Sequence, residues 1–207
     1  MKQFRVLLFS SLIFLCFILF SYFVDKDIFK QFDFDTTVRL QDNVSRRVDE
    51  PFSLLSDIGN FEPMIILLII ILIVRRKLWG MIVFGLFGLF HVIELYGKSF
   101  VDHLPPPEFM LRTKHLIDFP MFHVRSEFSY PSGHAGRAAF LTVLLGFFVV
   151  RSKKLSQIQK LIIIAVLVSY DIVMFTSRVY LGEHWVSDVV GGGMLGVSLG
   201  ILSMLVL

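Results

Sequence analysis

Long apolar runs alternate with short polar stretches along the chain. A helix of about 20 apolar residues crosses the hydrocarbon core of a bilayer, so each run predicts one transmembrane helix. Lys2 and Arg5 flank the first run, and no small-x-small cleavage site follows it, so we expect an uncleaved span. The six predicted spans are residues 4–24, 58–74, 79–97, 133–150, 159–176 and 185–207.

The polar stretch 25–57 carries an apolar pattern of its own. Phe34, Val38, Val44 and Val48 recur there at near-helical spacing. One apolar face on an otherwise polar helix is typical of a helix that lies on the membrane surface. We therefore expect a surface helix between the first two spans.

The last two spans contain small and charged residues. Gly192, Gly196 and Gly200 follow one another at four-residue spacing, which predicts close packing against a neighbouring helix. Asp171 lies seven residues before Arg178, on the same helical face. Two interpretations are open for Asp171: it tunes Arg178, or it forms a hydrogen bond between helices.

Composition agrees with a membrane protein. Of the 207 residues, 55% are hydrophobic, which is too apolar for a soluble domain and predicts an all-α, polytopic membrane bundle. The net charge is +3, but the basic residues are dispersed among the apolar spans, so we expect no nucleic-acid partner. We expect a single membrane domain over 1–207, with the first span and surface helix in 1–57 and the core in 58–207.

The charges between spans predict the orientation. The turns at 75–77 and 151–160 contain Arg and Lys but no Asp or Glu. The positive-inside rule places these turns, and both termini, in the cytoplasm. The connection 98–130 and the stretch 177–188 then lie together on the other side of the cell (inner) membrane.

The stretch 177–188 places an Arg, a His and an Asp between two apolar runs. His184 and Asp188 are four residues apart, a spacing that lets a carboxylate hold one ring nitrogen and leave the other as a nucleophile or base. Arg178 adds a planar fork that suits phosphate oxygens. The plain alternative is a helix cap at the membrane edge with solvated polar groups.

The stretch 131–134, Pro-Ser-Gly-His, directly precedes another apolar run. Ser132 and Gly133 are small enough to let backbone N–H groups approach an anion at a helix N-terminus. His134 follows within the first turn as a candidate proton donor. The alternative is an ordinary helix start that contains an incidental histidine.

Lys98 ends the third apolar run, one turn after Glu94. The two residues predict an i,i+4 ion pair, which would also aim the ammonium group at a substrate. A long connection that begins with Pro105-Pro106-Pro107 follows, and loops of this length are often functional.

These three stretches resemble the motifs of the type 2 phosphatidic acid phosphatase superfamily. Ser-Arg-x5-His-x3-Asp at 177–188 and Pro-Ser-Gly-His at 131–134 match in full. The first motif of the family is Lys-x6-Arg-Pro, and counting from Lys98 places Pro105 where the Arg belongs. The resemblance covers roughly residues 58–207.

The resemblance implies a metal-independent phosphatase of membrane lipids. In that family His184 would attack phosphorus to form a phosphohistidine, Asp188 would stabilise the imidazolium, and His134 would protonate the departing alcohol. The groups implied to hold the phosphate are Lys98, Arg178, the Ser132 hydroxyl and the Gly133 N–H.

One phosphate contact is missing from the first motif, and we expect another arginine to supply it. Arg137 lies one turn after His134 and is the first candidate; Arg112 and Arg125, in the long connection, are the others. We expect a phosphate, or Asp188 and Glu183, to offset the cost of the Arg137 charge at membrane depth. The alternative is that Arg137 only reaches the interface or pairs with an acid.

The sequence predicts neither a metal nor another cofactor. His103 and His115 lie in the long connection, and their spacing forms no recognised metal cluster.

Three functional hypotheses follow. The first is a lipid phosphatase at the outer leaflet that acts on phosphatidate, phosphatidylglycerophosphate or a polyprenyl diphosphate. The second is a phosphotransferase that passes the phosphoryl group to a lipid or sugar acceptor. The third is a membrane binding or transport protein that has kept the fold and lost the activity. The oligomeric state is open.

Overall fold

All regular secondary structure in the described part of the chain is helical and no strand occurs there, which confirms the all-α prediction. The structure is a computed structural model that describes residues 2–75, 80–114 and 127–207. Short 3₁₀ turns occur at Arg46–Val48 and Glu108–Met110. The α-helices are α1 (Lys2–Asp25), α2 (Lys30–Asn43), α3 (Asp49–Ile58), α4 (Phe61–Arg75), α5 (Gly80–Phe100), α6 (Gly133–Arg151), α7 (Gln157–Tyr180) and α8 (Val186–Ser203).

Five helices of the described ranges, α1, α5, α6, α7 and α8, are long and apolar enough to cross a membrane. The predicted second span corresponds to α4, which has 15 residues and passes the same test only together with the helical stretch before it, Arg46–Ile58, from which it is bent by 53°. The described residues therefore contain five candidate spans, or six if the bent pair forms one span.

Helix α7 is longer than its apolar run. It continues to Tyr180, four residues past the predicted end at 176, because the polar residues there find partners inside the protein rather than in water. Arg178 therefore lies in the last turn of α7 and is fixed by helical backbone.

The stretch 25–57 forms two helices, not one surface helix, and α2 packs by its polar side. Asp33 and Thr37 are buried, whereas Phe32 and Phe34 are exposed. Gln41, one turn further, donates to the backbone oxygens of Met110 and Tyr180 at 2.7 and 2.8 Å. The polar side faces inward because this helix packs against α7 and α8 where those helices present polar groups. The sequence did not indicate this packing, and the position of the stretch on the membrane surface stays a prediction.

Helices α6 and α8 form the centre of the bundle. A Cβ atom on Gly192 would lie 2.2 Å from the Ser132 backbone oxygen, and one on Gly196 would lie 2.1 Å from the Gly136 backbone oxygen. The expected glycine packing is therefore confirmed. It brings the N-terminus of α6 directly against α8.

Helix α1 is part of the same core. Ser10 and Ser198 each donate a side-chain hydrogen bond to the other's backbone oxygen, at 2.9 and 3.0 Å. Phe17 packs in the cluster that contains Phe140 and Leu195. The first span therefore supports α8 along its length.

Asp171 joins two helices. Its Oδ1 accepts a hydrogen bond of 2.9 Å from Thr142 Oγ1 on α6. This contact is the second of the two interpretations that the sequence left open.

Candidate active site

The structure brings the predicted polar residues close to one another at one end of the helices. Four side chains lie close enough to His134 to act on it electrostatically, and with His134 they make a group of five. They come from the end of α5, the start of α6, the end of α7 and the turn before α8. The five are Lys98, His134, Arg137, Arg178 and His184.

His184 is held by Asp188. His184 Nδ1 lies 3.3 Å from Asp188 Oδ2, and the same oxygen accepts the Trp185 backbone N–H at 3.0 Å. Because the carboxylate is an acceptor, it places the ring proton on Nδ1 and leaves Nε2 with its lone pair. Asp188 thus caps α8 and orients the imidazole at once.

The environment of His184 keeps the ring neutral. Burial lowers the pKa of His184, and the positive charges of Arg178 and Lys98 act in the same direction. The hydrogen bond and negative charge of Asp188 oppose this lowering without reversing it. A neutral imidazole is the form that a nucleophile requires.

The start of α6 carries Ser132, Gly133 and His134. Ser132 N donates to the Asp188 backbone oxygen at 2.9 Å, but its buried hydroxyl has no hydrogen-bond partner among the described residues. A Cβ on Gly133 would lie 2.1 Å from Glu94 Oε1, so no larger residue fits there. His134 Nε2 donates to Asn60 Oδ1 at 2.9 Å.

Arg178 is completely buried. One of its terminal nitrogens, Nη1, donates to Ser56 Oγ, and the other, Nη2, pairs with Glu183 Oε2. Glu183 also accepts a hydrogen bond from Thr113 Oγ1. Within the described ranges the Arg178 Nε has no hydrogen-bond partner.

Glu94 binds two of the predicted cations. Its carboxylate lies 3.0 Å from Lys98 Nζ, 3.0 Å from His91 Nδ1 and 3.6 Å from Arg137 Nη1. The predicted Glu94–Lys98 ion pair is therefore confirmed. A buried carboxylate between α5 and α6 fixes both cations in place.

The sequence predicted Asp188 and Glu183 as acidic partners of Arg137, but Arg137 pairs with Glu94. Its side chain runs back along α6, so that Nη1 would lie 2.8 Å from a Cβ on Gly133. Helical side chains lean toward the N-terminus, which carries this guanidinium to the level where α5 passes. Its Nε also donates to the Gly59 oxygen at 3.3 Å.

The remaining candidates have other positions. Arg112 donates from Nη1 to the Tyr180 hydroxyl at 3.0 Å and lies over that ring, with 5.0 Å from its guanidinium carbon to the ring centroid. This contact fastens the connection to the end of α7. Arg125 and His115 lie outside the described residues, as do Arg76 and Lys77 of the first basic turn.

In the part of the chain that the structure describes, no group of three or more His, Cys, Asp or Glu side chains is arranged to hold a metal ion. The prediction that no metal takes part stays a prediction.

Sequence reasoning missed several residues of the site. Ser56 and Asn60 contact Arg178 and His134, yet they lie at the edge of a predicted span. The signal that was available is the cluster of polar residues Ser56, Asp57 and Asn60 directly before an apolar run. Polar groups at membrane depth are usually functional, and this rule would have singled them out.

Comparison with known proteins identifies the family. A family model described as the PAP2 superfamily matches residues 64–207, and this range includes all three motifs. Phosphatidylglycerophosphatase B of Bacillus subtilis (strain 168) is 35% identical over 132 residues, which are 60% of this chain and 56% of that protein. The matched segment thus spans little more than half of the curated relative.

Two solved structures share the fold. The crystal structure of a transmembrane PAP2 type phosphatidylglycerolphosphate phosphatase from Bacillus subtilis matches over 94% of both chains, with a TM-score of 0.75 and 23% identity. Aquifex aeolicus LpxE matches over 84% of this chain and 94% of that one, with a TM-score of 0.62 and 22% identity. The family resemblance of the three motifs is therefore confirmed, and the chain belongs to the PAP2 superfamily.

Proposed function

We propose that this chain is a metal-independent membrane lipid phosphatase that works through a phosphohistidine intermediate. The observation that carries the proposal is a pair of buried donors without hydrogen-bond partners among the described residues, Ser132 Oγ and Arg178 Nε. A buried donor without a partner is costly, and oxygens of one phosphate group would satisfy both. Both residues lie near His184, because the Arg178 backbone oxygen accepts the His184 N–H and Ser132 N donates to the oxygen of Asp188, the partner of the His184 ring.

The phosphate is held by charge and by donors at a helix start. Arg178 and Lys98 supply positive charge, the Ser132 hydroxyl and Gly133 N–H supply hydrogen bonds, and the N-terminus of α6 favours an anion. Arg137 adds a third cation near Gly133. Glu183, which is partly exposed, leaves Arg178 when the phosphate binds.

The reaction has two steps. In the first, His134 takes up a proton as the phosphate dianion binds, His184 Nε2 attacks phosphorus, the bond between phosphorus and the alcohol oxygen breaks, and His134 passes its proton to that oxygen. Asp188 stabilises the phosphorylated imidazolium. In the second, His134 takes a proton from water, the water oxygen attacks phosphorus, and the phosphorus–nitrogen bond breaks to release phosphate and regenerate His184.

The substrate is proposed to be a lipid because the site lies at the ends of membrane-spanning helices. The relative with 35% identity is named phosphatidylglycerophosphatase B, so phosphatidylglycerophosphate is the first substrate to test. Phosphatidate and a polyprenyl diphosphate are the competing choices.

The site is proposed to face away from the cytoplasm, with both termini in the cytoplasm. The acid-free basic turn that follows α6 supports this orientation. The substrate phosphate would then be at the outer leaflet of the cell membrane.

The test is release of inorganic phosphate by purified protein in mixed detergent micelles. Phosphatidylglycerophosphate, phosphatidate and a polyprenyl diphosphate are compared, with glycerol 3-phosphate as the soluble control and the His184→Gln variant as the inactive control. We expect rapid release from at least one lipid and little from the soluble ester. No release from any lipid by folded protein contradicts the proposal, and release that requires an added acceptor indicates a phosphotransferase.

A further inference from the structure

A row of alternating carboxylates and imidazoles leads from α2 to the nucleophile. His103, in the connection after α5, is buried between Asp33 of α2 and Asp188 of α8. Its Nε2 lies 3.8 Å from Asp33 Oδ2 and 3.6 Å from Asp188 Oδ1. Asp188 in turn holds His184, so the order is Asp33, His103, Asp188, His184.

The contacts of Ser187 fix the proton of His103. Ser187 donates both its backbone N–H and its hydroxyl to Asp33, at 2.9 and 2.6 Å. Its hydroxyl oxygen therefore presents a lone pair to His103 Nε2, which lies 3.2 Å away. All three neighbours of this nitrogen are acceptors, so Nε2 carries a hydrogen.

The outer oxygen of Asp188 depends on this hydrogen. Asp188 Oδ1 is buried and has no hydrogen bond within the described ranges, whereas Oδ2 already binds His184 and the Trp185 N–H. A buried carboxylate oxygen needs a donor, and His103 Nε2 lies 3.6 Å from it. Rotation of the His103 ring would transfer this hydrogen bond from Ser187 to Asp188.

We propose that His103 is a positioning residue for the phosphatase reaction, whose N–H stabilises the outer oxygen of Asp188 and thereby sets the pH at which His184 becomes a nucleophile. The proposal rests on the proposed function. A donor beside Asp188 lowers the affinity of the Asp188–His184 pair for a proton, and loss of the donor raises it. The pair would then stay protonated, and His184 unreactive, up to a higher pH.

Other charged groups lie near the Asp188–His184 pair, and the test must hold them constant. Arg178 and Lys98 act on His184 from α7 and α5, and His134 acts on it from α6. Burial raises the pKa of Asp33, although its hydrogen bonds to Ser187 oppose the change. A cavity of about 480 Å³ borders the other side of His103, and its charged lining residues are Asp25, Asp27, Lys30, Asp33 and Asp102.

The test compares three variants of the full-length protein. His103→Phe removes the donor, and His103→Gln retains a side-chain N–H. Trp185→Phe loosens the same connection but keeps the backbone N–H that Asp188 accepts. Trp185 suits this purpose because its Nε1 donates to the Leu104 oxygen at 2.7 Å, one residue from His103.

The first readout is the acid limb of kcat/KM against pH, with one lipid substrate throughout so that its own titration cancels. We expect His103→Phe to move the limb to higher pH by about one unit, with a loss of roughly tenfold below the limb and near-normal activity above it. In His103→Gln the limb should stay close to its wild-type position, because the donor is retained. Trp185→Phe should lower kcat/KM at all pH values equally. An unshifted limb in His103→Phe overturns the proposal.

The second readout does not need activity. Nitrogen-15 NMR of histidine-labelled protein in detergent follows the His184 ring directly, with His184→Gln to assign its signal. We expect the His184 titration midpoint to rise in His103→Phe, whether or not any lipid is hydrolysed. An unchanged midpoint refutes the role of His103, and a shifted midpoint in an inactive protein refutes only the phosphatase function.

The wild-type protein supplies a check in case His103→Phe does not fold. The Nε2 signal of His103 should be that of a protonated ring nitrogen across the pH range in which the protein is active. An unprotonated Nε2 overturns the proposal without any variant.

Discussion

Replacement of Arg137 tests whether this side chain compensates for the missing arginine of the first motif. In Arg137→Ala the guanidinium beside Gly133 disappears, while Glu94 keeps its contacts at 3.0 Å to Lys98 and His91. The helix itself should not suffer, because Ala has the highest helix propensity. The change therefore removes one cation from the site, while the Glu94 carboxylate stays paired with Lys98.

The expected loss is set by the role of the guanidinium. If it stabilises charge on the phosphate in the transition state, Arg137→Ala should cost about 2–4 kcal/mol, a loss of about 30- to 1000-fold in kcat/KM. If Arg137 serves only as a partner for Glu94, the ion pair at 3.6 Å and the Gly59 hydrogen bond at 3.3 Å predict mainly a loss of stability, of about 1–3 kcal/mol. Activity per folded molecule would then change little.

The assay measures kcat/KM for lipid phosphate release together with inhibition by inorganic phosphate. A phosphate contact predicts that inhibition weakens in Arg137→Ala along with kcat/KM. Arg137→Lys should recover only part of the loss, since a point charge does not reproduce the bidentate fork. The melting temperature in detergent shows whether each variant is folded.

A double variant separates the two roles of Arg137. Removing both members of a buried ion pair is far less harmful than removing one, so Glu94→Gln with Arg137→Ala should regain melting temperature if Arg137 only neutralises Glu94. On the phosphate-binding hypothesis the double variant stays impaired. Near-normal kcat/KM in Arg137→Ala would refute the reasoning, and Arg112 and Arg125 would be the next positions to replace.

Four further predictions test the mechanism and the topology. His184→Ala should abolish turnover in a folded protein, and Asp188→Asn should be damaging but less complete because it misorients the ring without removing it; His184→Ala activity within tenfold of wild type would exclude the nucleophile role. Activity should persist in excess EDTA and be inhibited by vanadate, whereas loss on chelation that added metal restores would contradict a metal-independent site. Because burial lowers the pKa of His184, its ring should titrate below about 6.5 in a nitrogen-15 NMR experiment. The neutral nucleophile should then persist at pH 7 and be lost only as the pH falls through that lower value. A midpoint above 6.5 would contradict this prediction. In a Cys16→Ser background, an impermeant thiol reagent should label Leu111→Cys in intact cells but not Lys153→Cys, and the reverse pattern would overturn the proposed orientation.

The helices were predictable because their signal is local. Five of the six apolar runs form helices long enough to span a membrane by themselves, and the Gly192, Gly196 and Gly200 spacing is visible in the sequence alone. The His184–Asp188 pair was equally accessible, because a spacing of four residues brings two side chains together. These features need no knowledge of what lies across the bundle.

The partners of the cations were not predictable in the same way. Arg137 meets Glu94, and Arg178 meets Ser56, across helices that are far apart in the sequence. The packing of α2 was missed for a related reason: its apolar positions predicted a surface helix but did not indicate that its polar side packs against α7 and α8. The pair Asp33 and Thr37, four residues apart, was the available signal for a buried polar face.

The charge balance of the resting site explains how it tolerates so many ions. Lys98, Arg137 and Arg178 are matched by three carboxylates, two of which, Glu94 and Glu183, contact the cations directly. The third, Asp188, holds His184. Among these six side chains the charges balance while both histidines are neutral, and Asp57 and Glu62 act on Arg178 and Arg137 from further away.

A bound phosphate dianion upsets this balance unless a carboxylate withdraws. Glu94 is enclosed between α5 and α6, and Asp188 is fixed at the start of α8, but the Glu183 side chain is 23% exposed. Glu183 is therefore the group that can move toward solvent and give Arg178 to the phosphate. Withdrawal of one negative charge, together with a proton on His134, restores neutrality for a dianion. The proton that the leaving alcohol requires is thus also the one that the charge balance requires.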